Sequence, residues 1–141
     1  MQQRVRSNHL LAVIGVSLGL ALTASAQSST TTITETPGNY SRDTTITGAN
    51  GRTATSNTTA TYAPGSTTRE TTTTGFNGKT TTYQNDRSWG NGSYTDTKSY
   101  TGVNGGTRTD TSTRSGGIVT NTYTGRNGNS RTVSRPARYR R

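Results

Sequence analysis

From residue 27 onward, the chain alternates runs of β-branched and polar residues with glycine-containing turn signals. Runs such as 66–74 and 79–84 are rich in threonine and lack internal proline, which is typical of strands. No stretch after residue 26 shows the 3.6-residue apolar period of a helix. The pattern therefore predicts a chain that is all-β or, failing that, largely disordered.

One pentad, T-G-x-N-G, marks half of the turns. It occurs at 47–51, 74–78, 101–105 and 124–128, so successive copies lie 27, 27 and 23 residues apart. Asn-Gly between β-branched runs predicts a hairpin with a two-residue type I′ turn. The predicted turn-forming residues are Asn50, Gly51, Asn77, Gly78, Asn104, Gly105, Asn127 and Gly128.

A second set of turn signals lies between the pentads, and its members are Pro37-Gly38, Pro64-Gly65, Asn91-Gly92 and Gly116-Gly117. Together the two sets leave about ten residues for each strand, which is an ordinary strand length. The simplest architecture is a meander of antiparallel β-hairpins. A β-solenoid with 27-residue coils is the alternative, in which the turns are corners and the strands stack in parallel.

The type I′ turn also predicts which side chains pair. With Asn77-Gly78 as the central residues, Thr74 faces Thr81 and Thr73 faces Thr82. This register places threonines on both faces of the sheet, with one larger residue per hairpin on one of them. A sheet so polar on both sides specifies its register weakly and allows pairing between molecules.

The first 26 residues differ from the rest of the chain. Arg4 and Arg6 precede an apolar run at 10–22, and residues 24–26 read Ala-Ser-Ala. This predicts a helical secretory signal peptide with Ala24 and Ala26 at its cleavage site, since the run is short for a membrane span. An uncleaved anchor is the alternative. We therefore expect export to a periplasm or the extracellular space, with no transmembrane segment after cleavage.

The composition after residue 26 argues against an ordinary globule. Thr, Ser, Asn and Gly supply 70 of these 115 residues, and the chain has no cysteine to form disulfides. So few large apolar side chains do not offset the conformational entropy of ordering the chain. We expect disorder, or order that is gained through neighbouring molecules.

Positive charge is concentrated at the C-terminus. The whole chain has a net charge of +10, and its last 16 residues hold six arginines and no acid. We predict three segments: a signal peptide at 1–26, a β-hairpin repeat region at 27–128 and a disordered basic tail at 129–141. The candidates for binding polyanions such as polysaccharide, lipopolysaccharide or non-specific DNA are Arg126, Arg131, Arg135, Arg138, Arg140 and Arg141.

The chain is poorly supplied with catalytic residue types. After residue 26 it contains no histidine or cysteine, so the usual general base, thiol nucleophile and zinc ligands are missing. Six carboxylates remain, without a core to hold them in a cleft. We expect no enzyme activity, no cofactor and no metal site.

The copies TGANGRTAT, TGFNGKTTT and TGVNGGTRT resemble the Thr/Gly/Asn-rich tandem repeats of small exported bacterial proteins, over about residues 43–132. The strand-turn-strand repeat is also similar to that of curli-type functional amyloid subunits, although the Gln and Asn ladder positions of that family are not at fixed places here. The signal peptide, the turn period and the missing catalytic residues predict an exported structural or adhesive protein of the cell envelope or extracellular matrix. Its polar strands are expected to self-associate. The alternative is a polyanion-binding module that acts through the arginine-rich tail.

Overall fold

The computed structural model describes residues 2–6 and 26–137, and these residues form strands and turns only. No helix among them is long and apolar enough to cross a membrane. The strands are β1 (Gln2–Arg6), β2 (Ala26–Thr36), β3 (Asn39–Gly48), β4 (Thr53–Ala63), β5 (Ser66–Thr74), β6 (Thr80–Gly90), β7 (Ser93–Thr101), β8 (Thr107–Ser115), β9 (Ile118–Thr124) and β10 (Ser130–Pro136).

The strands form one open sheet in which spatial order follows chain order. Every pair is antiparallel, and β2 to β10 are consecutive hairpins. The all-β meander is thus confirmed for these strands. The solenoid alternative needs parallel stacking of one repeat on the next, and the described strands do not pair in that way.

Two of the predicted segments, the signal peptide and the basic tail, lie at the two ends of the described chain. Residues 7–25, most of the predicted signal peptide, lie outside the described residues, whereas Gln2–Arg6 forms β1 and pairs with β2. At the other end, the segment expected to be disordered begins with a strand, because Ser130–Pro136 pairs with β9 along its whole length. The rest of the expected tail after Ala137 lies outside the described residues.

The pentad turns differ from the predicted type I′ geometry by one residue. Thr74 pairs with Thr80, not Thr81, and Thr73 pairs with Thr81. The N–H of Gly78 donates to the carbonyl of Gly75 at 2.8 Å, and the N–H of Gly75 donates to that of Lys79 at 2.9 Å. The loop is therefore the three residues 76–78, a type I turn closed by a left-handed glycine.

The reason for this difference lies in the backbone of the asparagine. Gly78 has φ of 74°, but among the described non-glycine residues only Asn91 has a positive φ, 49°. The pentad asparagine instead keeps the ordinary conformation and accepts a backbone hydrogen bond, as from Lys79 N–H to Asn77 Oδ1 at 3.0 Å. The expected I′ geometry, positive φ at both central residues, occurs at Asn91-Gly92.

The corrected register separates the side chains more sharply than predicted, because a one-residue change exchanges the two faces of a strand. We call one side the aromatic face. It carries all but one of the large apolar and aromatic side chains of β2 to β10: Ile33, Tyr40, Ile46, Tyr62, Tyr83, Trp89, Tyr94, Tyr100, Val119, Tyr123 and Val133. The exception is Ile118.

We call the other side the threonine face. It carries 26 of the 33 threonines that follow residue 26, and the prediction of threonines on both faces is wrong to that extent. The strands also build almost no interior. Among residues 28–137 only Ala60, Thr58 and Gly48 are buried, and Ala60 and Thr58 lie on adjacent positions of the aromatic face. The described chain is a single layer, with no second layer over either face.

Candidate functional site

The aromatic face is the most unusual surface of the described chain, because its large side chains are not covered. Trp89 is 46% exposed and pairs directly with Tyr94, which is 38% exposed. Tyr62 and Tyr123 are more exposed still, at 56% and 51%. A β-sheet normally buries its apolar face against another layer, so this face has the character of an interaction surface.

The same face is strongly positive. It carries eight basic side chains in strands β2 to β10, which are Arg42, Arg69, Arg87, Lys98, Arg108, Arg114, Arg131 and Arg135. Against them stand three carboxylates, those of Glu35, Asp96 and Asp110. The net charge of the aromatic face is therefore +5.

Asp96 is the centre of the polar contacts on this face. Its carboxylate lies 3.4 Å from Arg87 Nε and 3.5 Å from Lys98 Nζ, and it accepts a hydrogen bond from the Asn85 amide. Desolvation acts to raise the pKa of Asp96, but the Asn85 hydrogen bond and the charges of Lys98 and Arg87 outweigh it and lower the pKa. The group is therefore an anion at neutral pH and partly offsets the charge of two neighbouring cations.

Beside this cluster the aromatic face has an open depression of about 500 Å³. It lies across β7 to β10, and its lining combines charges of both signs, including Lys98, Asp110 and Arg131, with the ring of Tyr123. Nearby, the Arg108 guanidinium lies over the Tyr100 ring, 5.2 Å from its centre. Such a mixture of rings and cations suits a polar, anionic surface better than an apolar ligand.

The threonine face has a different chemistry, since its hydroxyl groups bond mainly to one another. Across the pentad hairpins, the hydroxyls of Thr74 and Thr80 lie 2.9 Å apart and those of Thr101 and Thr107 lie 2.8 Å apart. The pentad threonine thus joins the two strands at the start of the turn. The methyl groups and remaining lone pairs of these side chains are left for another surface.

The pentads themselves form the end of the sheet, where successive copies contact one another. A Cβ on Gly48 would lie 3.5 Å from the Phe76 ring of the next copy, and one on Gly106 would lie 3.2 Å from the Arg126 side chain. A Cβ on Gly75 would also lie 3.2 Å from Asn77 Oδ1. The first pentad glycine therefore makes room for the turn asparagine, and in two copies the variable residue, Phe76 or Arg126, covers the preceding turn.

The structure does not gather the predicted polyanion-binding arginines in one tail. Arg131 and Arg135 lie on the aromatic face of β10, whereas Arg126 lies in a turn against Gly102 and Gly106. Arg138, Arg140 and Arg141 lie outside the described residues, as does Ala24, and Ala26 is the first residue of β2. The eight predicted turn-forming residues all lie in turns, and the second glycine of each pentad has a positive φ.

Sequence reasoning missed the charge separation between the two faces, although a signal for it was present. Three adjacent pairs of opposite charge occur within strands, Arg42-Asp43, Arg69-Glu70 and Asp86-Arg87. Since neighbours along a strand point to opposite faces, each pair places its arginine on the aromatic face and its acid on the threonine face.

Within the described residues, no group of three or more His, Cys, Asp or Glu side chains could hold a metal ion. The chain matches no protein-family model, no curated protein and no solved structure.

Proposed function

We propose that this chain is an exported, non-enzymatic structural protein of the cell envelope or extracellular matrix, which acts by self-association of its sheet. The observation that carries the proposal is the uncovered aromatic face of a single-layer sheet. Rings such as Trp89 and Tyr62, about half exposed, are stabilised if another molecule removes them from water. Export itself is supported by the signal-peptide pattern of residues 1–26.

The size of the face is sufficient for a stable contact. Nine strands at about 4.8 Å spacing span about 40 Å, and about nine residues per strand span about 30 Å. A face of this size offers about 1,200 Å², which exceeds the roughly 800 Å² that each partner gives to an ordinary stable interface. Self-association through one face thus needs no further element.

The test is the state of chain 27–141 as a function of its concentration. Far-UV circular dichroism and sedimentation velocity should show β-structure and particle size increasing together from low to high micromolar concentration. A chain that is β-structured and strictly monomeric at every concentration would exclude self-association. A coil spectrum throughout would exclude the folded sheet as well.

Binding of an anionic polymer is a second candidate, and the net charge of +5 on the aromatic face favours it. Among the predicted arginines, Arg131 and Arg135 lie in β10 and three follow Ala137 in the sequence, so two variants separate the roles of these groups. One replaces Arg131 and Arg135 by Gln, and the other replaces Arg138, Arg140 and Arg141. With heparin as the probe, a role for the face requires the first variant to flatten the salt dependence of binding. A role for the tail requires the second variant to do so.

A further inference from the structure

The two faces of the sheet carry opposite charge. In strands β2 to β10 the threonine face holds three carboxylates, those of Asp43, Glu70 and Asp86, and no basic side chain. All three acids follow or precede an arginine that points to the aromatic face. The net charges are therefore −3 on the threonine face and +5 on the aromatic face.

We propose that the aromatic face of one copy stacks on the threonine face of the next, so that the sheets form an open-ended stack. This inference rests on the proposed function and names the partner surface, a second copy of this chain. Two aromatic faces would bring +5 against +5, and two threonine faces would bring −3 against −3. Only the unlike contact places positive against negative charge.

The side chains of the two faces are complementary in other respects. Phenol groups such as those of Tyr83 and Tyr94, 37% and 38% exposed, can donate to threonine hydroxyls that still have lone pairs. The threonine methyl groups give the rings an apolar surface. Stacked sheets lie about 10 Å apart, a distance that side chains of this length fill from both sides.

Contacts between unlike faces do not produce a closed assembly. Because the two surfaces differ, each added copy leaves one aromatic and one threonine face free, and the assembly grows without a fixed size. Pairing of like faces would instead stop at a dimer. The particle-size distribution is therefore part of the prediction.

The test uses two charge-reversal variants of the full chain. The threonine-face variant, D43K/E70K, leaves +1 on the threonine face against +5 on the aromatic face. The aromatic-face variant, R42E/R69E/R131E, leaves −1 on the aromatic face against −3 on the threonine face. All five positions are exposed. The control R52E/K79E lowers the net charge by four units at two exposed turn residues outside the strands. Far-UV circular dichroism checks folding, and D43N/E70Q replaces the first variant if that variant does not fold.

Assembly is followed by light scattering and by the emission of Trp89, the only tryptophan of the chain, which lies on the aromatic face. Stacking should shift its emission to shorter wavelength as particles grow. We expect each face variant alone to need at least about ten times more protein to assemble. An equimolar mixture of the two should assemble again, because the contacts of an alternating stack are then +5 against −3 and −1 against +1.

The outcomes separate this inference from the proposed function. If the original chain assembles and the threonine-face variant assembles equally well, contact through like aromatic faces or strand edges is indicated and the inference is wrong. If both variants fail and their mixture also fails, or if R52E/K79E fails equally, the unlike-face contact is wrong. If the original chain does not assemble at all, the proposed function fails together with the inference.

Discussion

Replacing Gly78 by alanine tests the turn geometry on which both faces depend. Gly78 has φ of 74°, and a Cβ built on it meets no atom within 4 Å. The cost is therefore backbone strain alone, about 1–2 kcal/mol for a non-glycine residue in the left-handed region. Alanine also restricts the unfolded chain, which offsets about 0.4–1 kcal/mol. We expect Gly78→Ala to lower the free energy of unfolding by about 1 kcal/mol.

Two other glycines provide matched comparisons. Gly38 has a similar φ of 76°, but its Cβ would lie 3.0 Å from the carbonyl oxygen of Tyr62, which is rigid backbone. Gly38→Ala should therefore cost about 2–3 kcal/mol, because a contact must shift as well. Gly90 has neither a positive φ nor an atom within 4 Å of its Cβ. Gly90→Ala should stabilise the chain by a few tenths of a kcal/mol.

The assay is urea unfolding of chain 27–141, followed by far-UV circular dichroism at a concentration below assembly. The order of stability should be Gly90→Ala, the original chain, Gly78→Ala and Gly38→Ala, with similar slopes against urea. Asn77→Ala adds a second check, since it removes one hydrogen bond without relieving or creating a positive φ. A Gly78→Ala variant as stable as Gly90→Ala, or an Asn77→Ala variant that loses far more than about 1 kcal/mol, would refute the three-residue turn.

Two further expectations concern charge and processing. Asp96 has a lowered pKa in the folded chain, so its contribution is present above the ordinary carboxyl pKa of about 3.9 and is lost as pH falls through the folded value. Asp96→Asn should cost at most about 1 kcal/mol at neutral pH, since Arg87 and Lys98 are half exposed. It should also flatten the acid limb of a stability–pH curve, and an unchanged acid limb would contradict the assignment. In a secreting host, mass spectrometry should find a mature N-terminus at Gln27, and Ala26→Phe should leave the full-length mass; a native chain that keeps residues 1–26 would contradict the signal peptide.

The turns and strands of this chain could be predicted from sequence because glycine, proline and asparagine act locally. Pro37-Gly38 and the pentads mark reversals whatever the rest of the chain does. The register could not be read in the same way, since Asn-Gly fits both a two-residue loop and the end of a three-residue loop. The choice depends on whether Asn77 takes a positive φ, and its hydrogen bond to Lys79 N–H favours the ordinary conformation.

The last strand was missed for a different reason. After Gly128 no further turn signal follows, and five arginines dominate the composition. Yet Arg131, Val133 and Arg135 alternate with small hydroxyl residues, which is the two-residue period of a strand with distinct faces. Pairing with β9 then orders a segment whose composition alone indicates disorder.

The 27-residue spacing of successive pentads indicates the length of the loops, which the T-G-x-N-G motif alone does not indicate. A two-residue loop pairs residues of opposite parity in the numbering, whereas a three-residue loop pairs residues of the same parity. One loop of each kind per repeat keeps residues 27 positions apart on the same face, as Arg42 and Arg69 are. Two-residue loops throughout would place them on opposite faces. An odd period combined with separated faces therefore requires that one loop in each repeat has an odd length.

A single deletion tests this relation between loop length and face. Removing Lys79 keeps the three-residue loop but brings Thr80 opposite Gly75, which shifts the register of the following strands by one residue. Strands β6–β10 then turn over relative to β2–β5, so each face of the whole sheet becomes mixed in charge and aromatic content. We expect far-UV circular dichroism to change little, while assembly and the shift of Trp89 emission are lost. Removing Phe76 instead leaves a two-residue type I′ loop between Gly75 and Lys79, so the register is unchanged and both should be retained. If the Lys79 deletion assembles like the original chain, separation of the faces is not what holds the copies together.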